Sequence, residues 1–177
     1  MIGAIVQVRM ESTRFPGKAL KPISGKPMVW HILKRIEAVK TIEKIIIVTP
    51  DTEANKPLID FLRLNKCEVF VGDKDGYVLD YFYHAAKQNG FDIIARVTAD
   101  DPFKDPEIID YAVSLFKEKS VDYVANCSYD GSIAPTYPEG LDIEVFSFKC
   151  LSEFGVKCKC AKIFIDVIHM NSFLLFV

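Results

Sequence analysis

Short apolar runs and segments of helical periodicity alternate along most of this 177-residue chain, which limits it to a small set of folds. Ile2 to Val8, Ile45 to Val48, Val69 to Val71, Ile93 to Val97 and Val121 to Ala125 have the length of strands and the near-uniform apolarity of strands buried on both faces. Between them, Met28, Val29, Ile32, Leu33, Ile36 and Val39 recur at helical spacing. So do Leu58, Ile59, Leu62 and Leu64, and then Val78, Leu79, Phe82, Ala85 and Ala86. Asp105-Pro106-Glu107 is a helix start: a capping carboxylate, a proline in the first turn and an acid at the positive end of the dipole. Ile108, Ile109, Ala112, Val113 and Phe116 continue that helix. This order predicts an α/β fold with a mostly parallel, Rossmann-like sheet and helices on both faces. Ligands of such sheets bind beyond the carboxyl ends of the strands. The loops after Val8, Val48 and Val97 are therefore the places to search.

The length corresponds to one ordinary domain with a small appendage. Lys and Arg number 22 and Asp and Glu 24, a net charge of −2, which argues against a general nucleic-acid binder and makes any anion site local. Five cysteines, an odd number, and an opening MIGAIVQV unlike a basic, cleavable leader point to reduced thiols in the cytoplasm. Cys158 and Cys160 lack the spacing and the second ligand pair of a structural zinc site. Trp30 and the run Tyr81-Phe82-Tyr83 read as core or core-edge residues, and His31, in an amphipathic helix pattern, as structural.

The first of the three loops is Arg9-Met10-Glu11-Ser12-Thr13-Arg14-Phe15-Pro16-Gly17-Lys18. Arginine offers a planar fork to phosphate oxygens, lysine a compact charge, and Gly17 permits close backbone approach. The chemistry suits a polyphosphate and equally fits a solvated basic turn. It is neither G-x-x-x-x-G-K-[ST] nor G-x-G-x-x-G. The third loop, Arg96-Val97-Thr98-Ala99-Asp100-Asp101-Pro102, puts carboxylates at a strand's carboxyl end facing the first loop. Magnesium is commonly shared between one or two such carboxylates and substrate phosphates. Paired acids before proline are also ordinary turn chemistry.

The run AIVQVRMESTRFPGKALKPISGKPMVWHILKR resembles the opening of the cytidylyltransferases that activate acidic sugars. These include the 3-deoxy-manno-octulosonate and acylneuraminate enzymes, and the spore-coat polysaccharide branch is the most similar. The resemblance covers residues 2 to about 150. It implies a nucleotidyltransferase that uses CTP and Mg²⁺, is commonly a homodimer, and needs no nucleic acid or membrane. It places Arg9, Lys18 and Asp100 in catalysis, and Arg9, Ser12, Thr13, Arg14, Gly17 and Lys18 around the triphosphate. Asp100 matches the metal-binding aspartate, with Asp101 on the variable position beside it. Glu11 stands where the spore-coat branch has glycine, and an acid there suits a triphosphate only with its side chain turned outward. Tyr81 replaces an arginine of a leucine-aspartate-arginine segment. The segment Pro138-Glu139-Gly140-Leu141-Asp142 matches one that contributes to the acceptor-sugar region, which makes Glu139 and Asp142 substrate-binding candidates.

Pattern and resemblance both fade after residue 149. We therefore divide the chain into a nucleotidyltransferase domain, 1–149, and a divergent or truncated tail, 150–177. Residues 163–177 include eleven apolar side chains, yet as a helix they would span only about 22 Å, short of a membrane. A second metal-binding aspartate known in the family has no match here. Alternatives to a CTP-dependent sugar nucleotidyltransferase are a catalytically impaired nucleotide-binding remnant and a guanylyl- or uridylyltransferase. The latter lacks its leucine-alanine-glycine-glycine opening, since Ala4-Ile5-Val6-Gln7 stands there.

Overall fold

The structure, a computed structural model, describes residues 1–126, 137–155 and 174–176, the last three as backbone. Cys158, Cys160 and most of the apolar tail lie outside the described residues. The elements run β1 (Ile2–Gln7), a small hairpin of β2 (Pro22–Ile23) and β3 (Lys26–Pro27), α1 (Met28–Ile36), β4 (Lys44–Pro50) and α2 (Lys56–Leu64). They continue with β5 (Val69–Gly72), α3 (Val78–Asn89), β6 (Ile93–Thr98), α4 (Pro106–Lys119), β7 (Tyr123–Ala125), β8 (Glu144–Ser147) and β9 (Leu174–Phe176).

The main sheet has the order β5-β4-β1-β6-β8-β7-β9. β1 pairs in parallel with β4 on one side and with β6 on the other. β8 is the one reversed strand among these, antiparallel to both β6 and β7. The mostly parallel α/β sheet predicted from the alternation is therefore present. The fifth apolar run, β7, does not abut β6, because β8 returns between them. β9 pairs in parallel with β7, although the tail has no strand periodicity in its sequence.

Alternation along the strands divides the core into two layers. Ala4 and Val6 of β1, Ala95 and Val97 of β6 and Ile47 of β4 join α1, α2 and α4 on one face. Ile5, Ile46, Val48 and Ile94 join α3 on the other. The carboxylate of Asp105 caps α4, accepting from the amides of Glu107 (2.8 Å) and Ile108 (3.4 Å), as its sequence signature indicates. Burial pushes the Cys150 thiol up to about 12, and it also raises that of Cys67; both are free. Among the described residues no helix is long and apolar enough to cross a membrane.

Gly3 faces the ring of Phe91, and a Cβ built on it would stand 2.0 Å from a ring carbon. Phe91 is itself buried under α3, so it has no room to retreat. Gly3→Ala should destabilise the fold by about 1–3 kcal/mol, the usual cost of overpacking, with a matching drop in the urea midpoint.

Candidate functional site

β1 is central, and the chain crosses from its β4 side to its β6 side, which opens a crevice at their carboxyl ends. The register puts Gln7 beside Thr98 and beside Val48. The loops after β1 and β6 therefore emerge next to each other, and the amide of Ala99 donates to the Gln7 carbonyl (3.0 Å). The first loop folds back at once. The amides of Ser12 (3.0 Å) and Gly17 (2.8 Å) both donate to the Met10 carbonyl. Gly17 takes a left-handed φ of 74°, a conformation that glycine adopts at little cost. Lys18 then opens a short helical turn, Lys18–Leu20.

Arg9, Ser12, Thr13, Arg14 and Lys18 line a cavity of about 230 Å³ together with Gln7, Arg96, Thr98 and Asp100. Six of the residues expected from the sequence thus share one site, and Gly17 shapes the turn beneath it. The Lys18 Nζ donates to Asp100 Oδ2 at 3.1 Å. Burial raises the Asp100 pKa, but hydrogen bonds from Lys18 and Thr98 outweigh it and hold the carboxyl below its ordinary 3.8. Asp100 is therefore ionised at neutral pH. Asp101 is otherwise engaged: its Oδ2 is 3.4 Å from the ammonium of Lys104, and the Thr98 hydroxyl reaches it at 3.5 Å.

A second cavity of about 300 Å³ adjoins the first and shares Gln7, Val8 and Arg9 with it. Its walls add apolar surface from Val48, Pro50 and Val78 and polar atoms from Glu11, Thr52, Lys74 and Tyr81. Gln7 lines both cavities, and its buried Oε1 has no hydrogen-bond partner among the described residues. Asn55, fully buried, ties the two loops together. It accepts from the Met10 amide (2.8 Å) and donates to the Pro50 carbonyl (3.1 Å), the Thr52 hydroxyl (2.8 Å) and Glu11 Oε2 (3.2 Å). Glu11 is thereby drawn out of the basic cavity, as the sequence requires of an acid in that loop.

Tyr81, where an arginine was expected, lies with its ring against Gly72 and Gly76; a Cβ at either would stand 2.2 or 2.7 Å from ring carbons. Its hydroxyl donates to the carbonyls of Asp73 and Gly76, which fixes the turn that carries Lys74. Burial, followed by the nearby Asp73, Asp80 and Asp75, raises its pKa.

Glu139 and Asp142 line neither cavity. They lie on a segment fastened beside the site. Asn126 accepts from the Ile143 amide (2.8 Å) and donates to the Leu141 carbonyl (2.9 Å). Lys104, 1% exposed, donates to the Asp142 carbonyl at 2.7 Å. Burial raises the Asp142 pKa; Lys104 opposes that, and the acids Asp101, Glu144 and Glu139 add to it.

Sequence reasoning missed Gln7, Asn55, Lys104 and the role of Arg96. A basic residue inside an apolar strand was a legible signal for Arg96, which pairs with buried Glu144 at 2.6 Å while lining the cavity. Asn55 and Lys104 gave none, since both sit in ordinary polar turns.

Among the described residues no three His, Cys, Asp or Glu side chains cluster as metal ligands. The donor set fits a hard cation shared between Asp100 and the oxygens of a bound phosphate, not one caged by protein alone.

Residues 3–131 match the family model described as Cytidylyltransferase, and the chain belongs to that family. The 3-deoxy-manno-octulosonate cytidylyltransferase of Geobacter sulfurreducens is 33% identical over 117 residues, 66% of this chain and 46% of that protein. The spore coat polysaccharide biosynthesis protein SpsF of Bacillus subtilis is 31% identical, over 67% of this chain and 51% of that protein. The chain spans about half the length of the curated relatives it matches. A solved cytidylyltransferase from Leptospira borgpetersenii superposes with a TM-score of 0.84 at 26% identity, over 96% of this chain and 71% of that one.

Because the folded pKa of Asp100 is depressed, the stability it contributes is complete above its unfolded value and is lost as the pH falls through the folded one. The stability of wild type relative to Asp100→Asn should be flat from about pH 7 to about pH 5 and should shrink below about pH 4, as read by urea titration at each pH.

Proposed function

We propose that the chain binds CTP and transfers CMP from it to a sugar hydroxyl, releasing pyrophosphate, in the biosynthesis of a surface polysaccharide. The observation that carries this reading is the adjacency of the two cavities, which share a wall. A pocket rich in cations shares Gln7, Val8 and Arg9 with a less polar one beside it. That is the order of chemistry along a nucleoside triphosphate: phosphates among Arg9, Arg14, Lys18 and Arg96, nucleoside among Val48, Pro50 and Val78. The named relatives support the sugar as acceptor. An acidic sugar is the acceptor we favour, with Glu139 and Asp142 as its hydroxyl-binding candidates on the neighbouring segment.

In this reading the arginines fix the triphosphate, and Lys18 exchanges Asp100 for phosphate oxygens. Asp100, released from Lys18, would then be the residue to hold Mg²⁺. Magnesium bound there would neutralise charge on the phosphates. The acceptor hydroxyl attacks the α-phosphorus in line, forming the sugar–phosphate bond as the bond to pyrophosphate breaks. Positioning and fixed charge supply most of the acceleration. A soluble cytoplasmic enzyme with access to free CTP fits this chemistry, and a homodimer fits the family.

A second reading is a nucleotide-binding remnant that holds CTP without transferring it. The observation in its favour is that Asp100 is the single carboxylate among the described residues lining the basic cavity.

Calorimetric titration with CTP, GTP and UTP, each with and without Mg²⁺, tests both. We expect magnesium-dependent binding that prefers CTP. Lys18→Ala should weaken it about tenfold or more, the worth of a charge-assisted hydrogen bond. An unchanged affinity in that variant would overturn the loop assignment. Pyrophosphate release in the presence of acidic sugars separates the enzyme from the remnant.

A further inference from the structure

Glu11 is a carboxylate in a loop built for anions, and its placement gives it a use. It lines the second cavity and not the basic one. Two donors, the Thr52 hydroxyl and the Asn55 amide, both 3.2 Å away, hold it there, and both act on the same oxygen, Oε2. Glu11 is exposed, but Asn55 is fully buried and anchored to the Met10 amide and the Pro50 carbonyl, so one of its two donors is fixed in place. Among the described residues Oε1 carries no hydrogen bond. A carboxylate that lines a partly apolar pocket accepts hydrogen bonds and repels other acceptors.

We infer that Glu11 is a specificity-determining residue that accepts a hydrogen bond from a donor group on the nucleoside of the bound triphosphate. This rests on the CTP reading given above. The donor is the exocyclic amine of the base or a hydroxyl of the ribose, and the two respond differently to substitution. Glu11→Gln keeps the shape and can keep its carbonyl oxygen on Thr52 and Asn55, which turns the remaining acceptor into a donor. A base amine then loses its partner, and the carbonyl that uracil carries at the same position gains one. A ribose hydroxyl both donates and accepts, so it tolerates the amide.

The experiment is titration of wild type, Glu11→Gln and Glu11→Ala with CTP, UTP, 2′-deoxy-CTP, 3′-deoxy-CTP and inorganic triphosphate, at fixed Mg²⁺. Thermal melts establish that the variants are folded. All three proteins should bind inorganic triphosphate alike. If the donor is the base amine, wild type prefers CTP to UTP by about tenfold or more, and Glu11→Gln removes or reverses that preference. If it is a ribose hydroxyl, Glu11→Ala weakens CTP and UTP equally by about tenfold, Glu11→Gln weakens neither as much, and one deoxy-CTP is indifferent to both changes. Wild-type affinities for every nucleotide in both variants overturn the inference while leaving the CTP reading intact. Failure of wild type to bind any nucleoside triphosphate better than inorganic triphosphate overturns the CTP reading itself.

Discussion

The parallel ladder between β1 and β6, running from Ile2 opposite Ile93 to Gln7 opposite Thr98, decides where chemistry can occur in this molecule. Both strands are buried on both faces, so a slip by one residue would move each row of side chains into the opposite core layer, which is packed for different ones. With the register fixed, the strands end together and their loops leave side by side. Lys18 and Asp100, 82 positions apart in the chain, come within 3.1 Å as a result. Four cations, Arg9, Arg14, Lys18 and Arg96, meet in this one crevice although the chain as a whole is slightly acidic.

The crevice depends on a few polar side chains removed from water. Asn55 ties the loop after β1 to the loop after β4, and Lys104 ties the loop after β6 to the segment before β8. Glu144 of β8 pairs with Arg96 of β6. Each bridges two segments distant in sequence, and each is desolvated, so loss of one partner leaves the other unsatisfied. These links give irregular loops a defined geometry, which a site that positions reactants needs.

Much of this was legible in the sequence because the signals were local. Continuous apolar runs, helix periodicity and the Asp105 cap concern neighbouring residues, and the strands and helices follow from them. The basic loop and Asp100 were legible too, since a cation-rich turn directly after a buried strand is conspicuous. Lys104 was not, because Pro102-Phe103-Lys104-Asp105 reads as a solvated turn, and only the return of the chain near Asp142 covers it. The insertion of β8 between β6 and β7 was hidden for the same reason. Strand order is a property of distant segments, and the run at Val145 and Phe146 is too short to announce its neighbours. Glu139 and Asp142 illustrate the limit from the other side: their motif was visible, but their place beside the cavities and not in their walls was not.

The contact of Tyr81 with Gly72 and Gly76 has a bearing on how this chain can vary. The ring occupies the space that a side chain at either glycine would need, and its hydroxyl holds the carbonyls of the turn between them. The three positions therefore behave as one unit of inheritance. A larger residue at 72 or 76 is compatible with a small or flexible side chain at 81 and incompatible with this one. A change at 81 alone leaves two glycines facing a void beside the second cavity. Variation within that unit would reshape the pocket wall without touching the basic loop, so the two halves of the crevice are free to diverge at different rates.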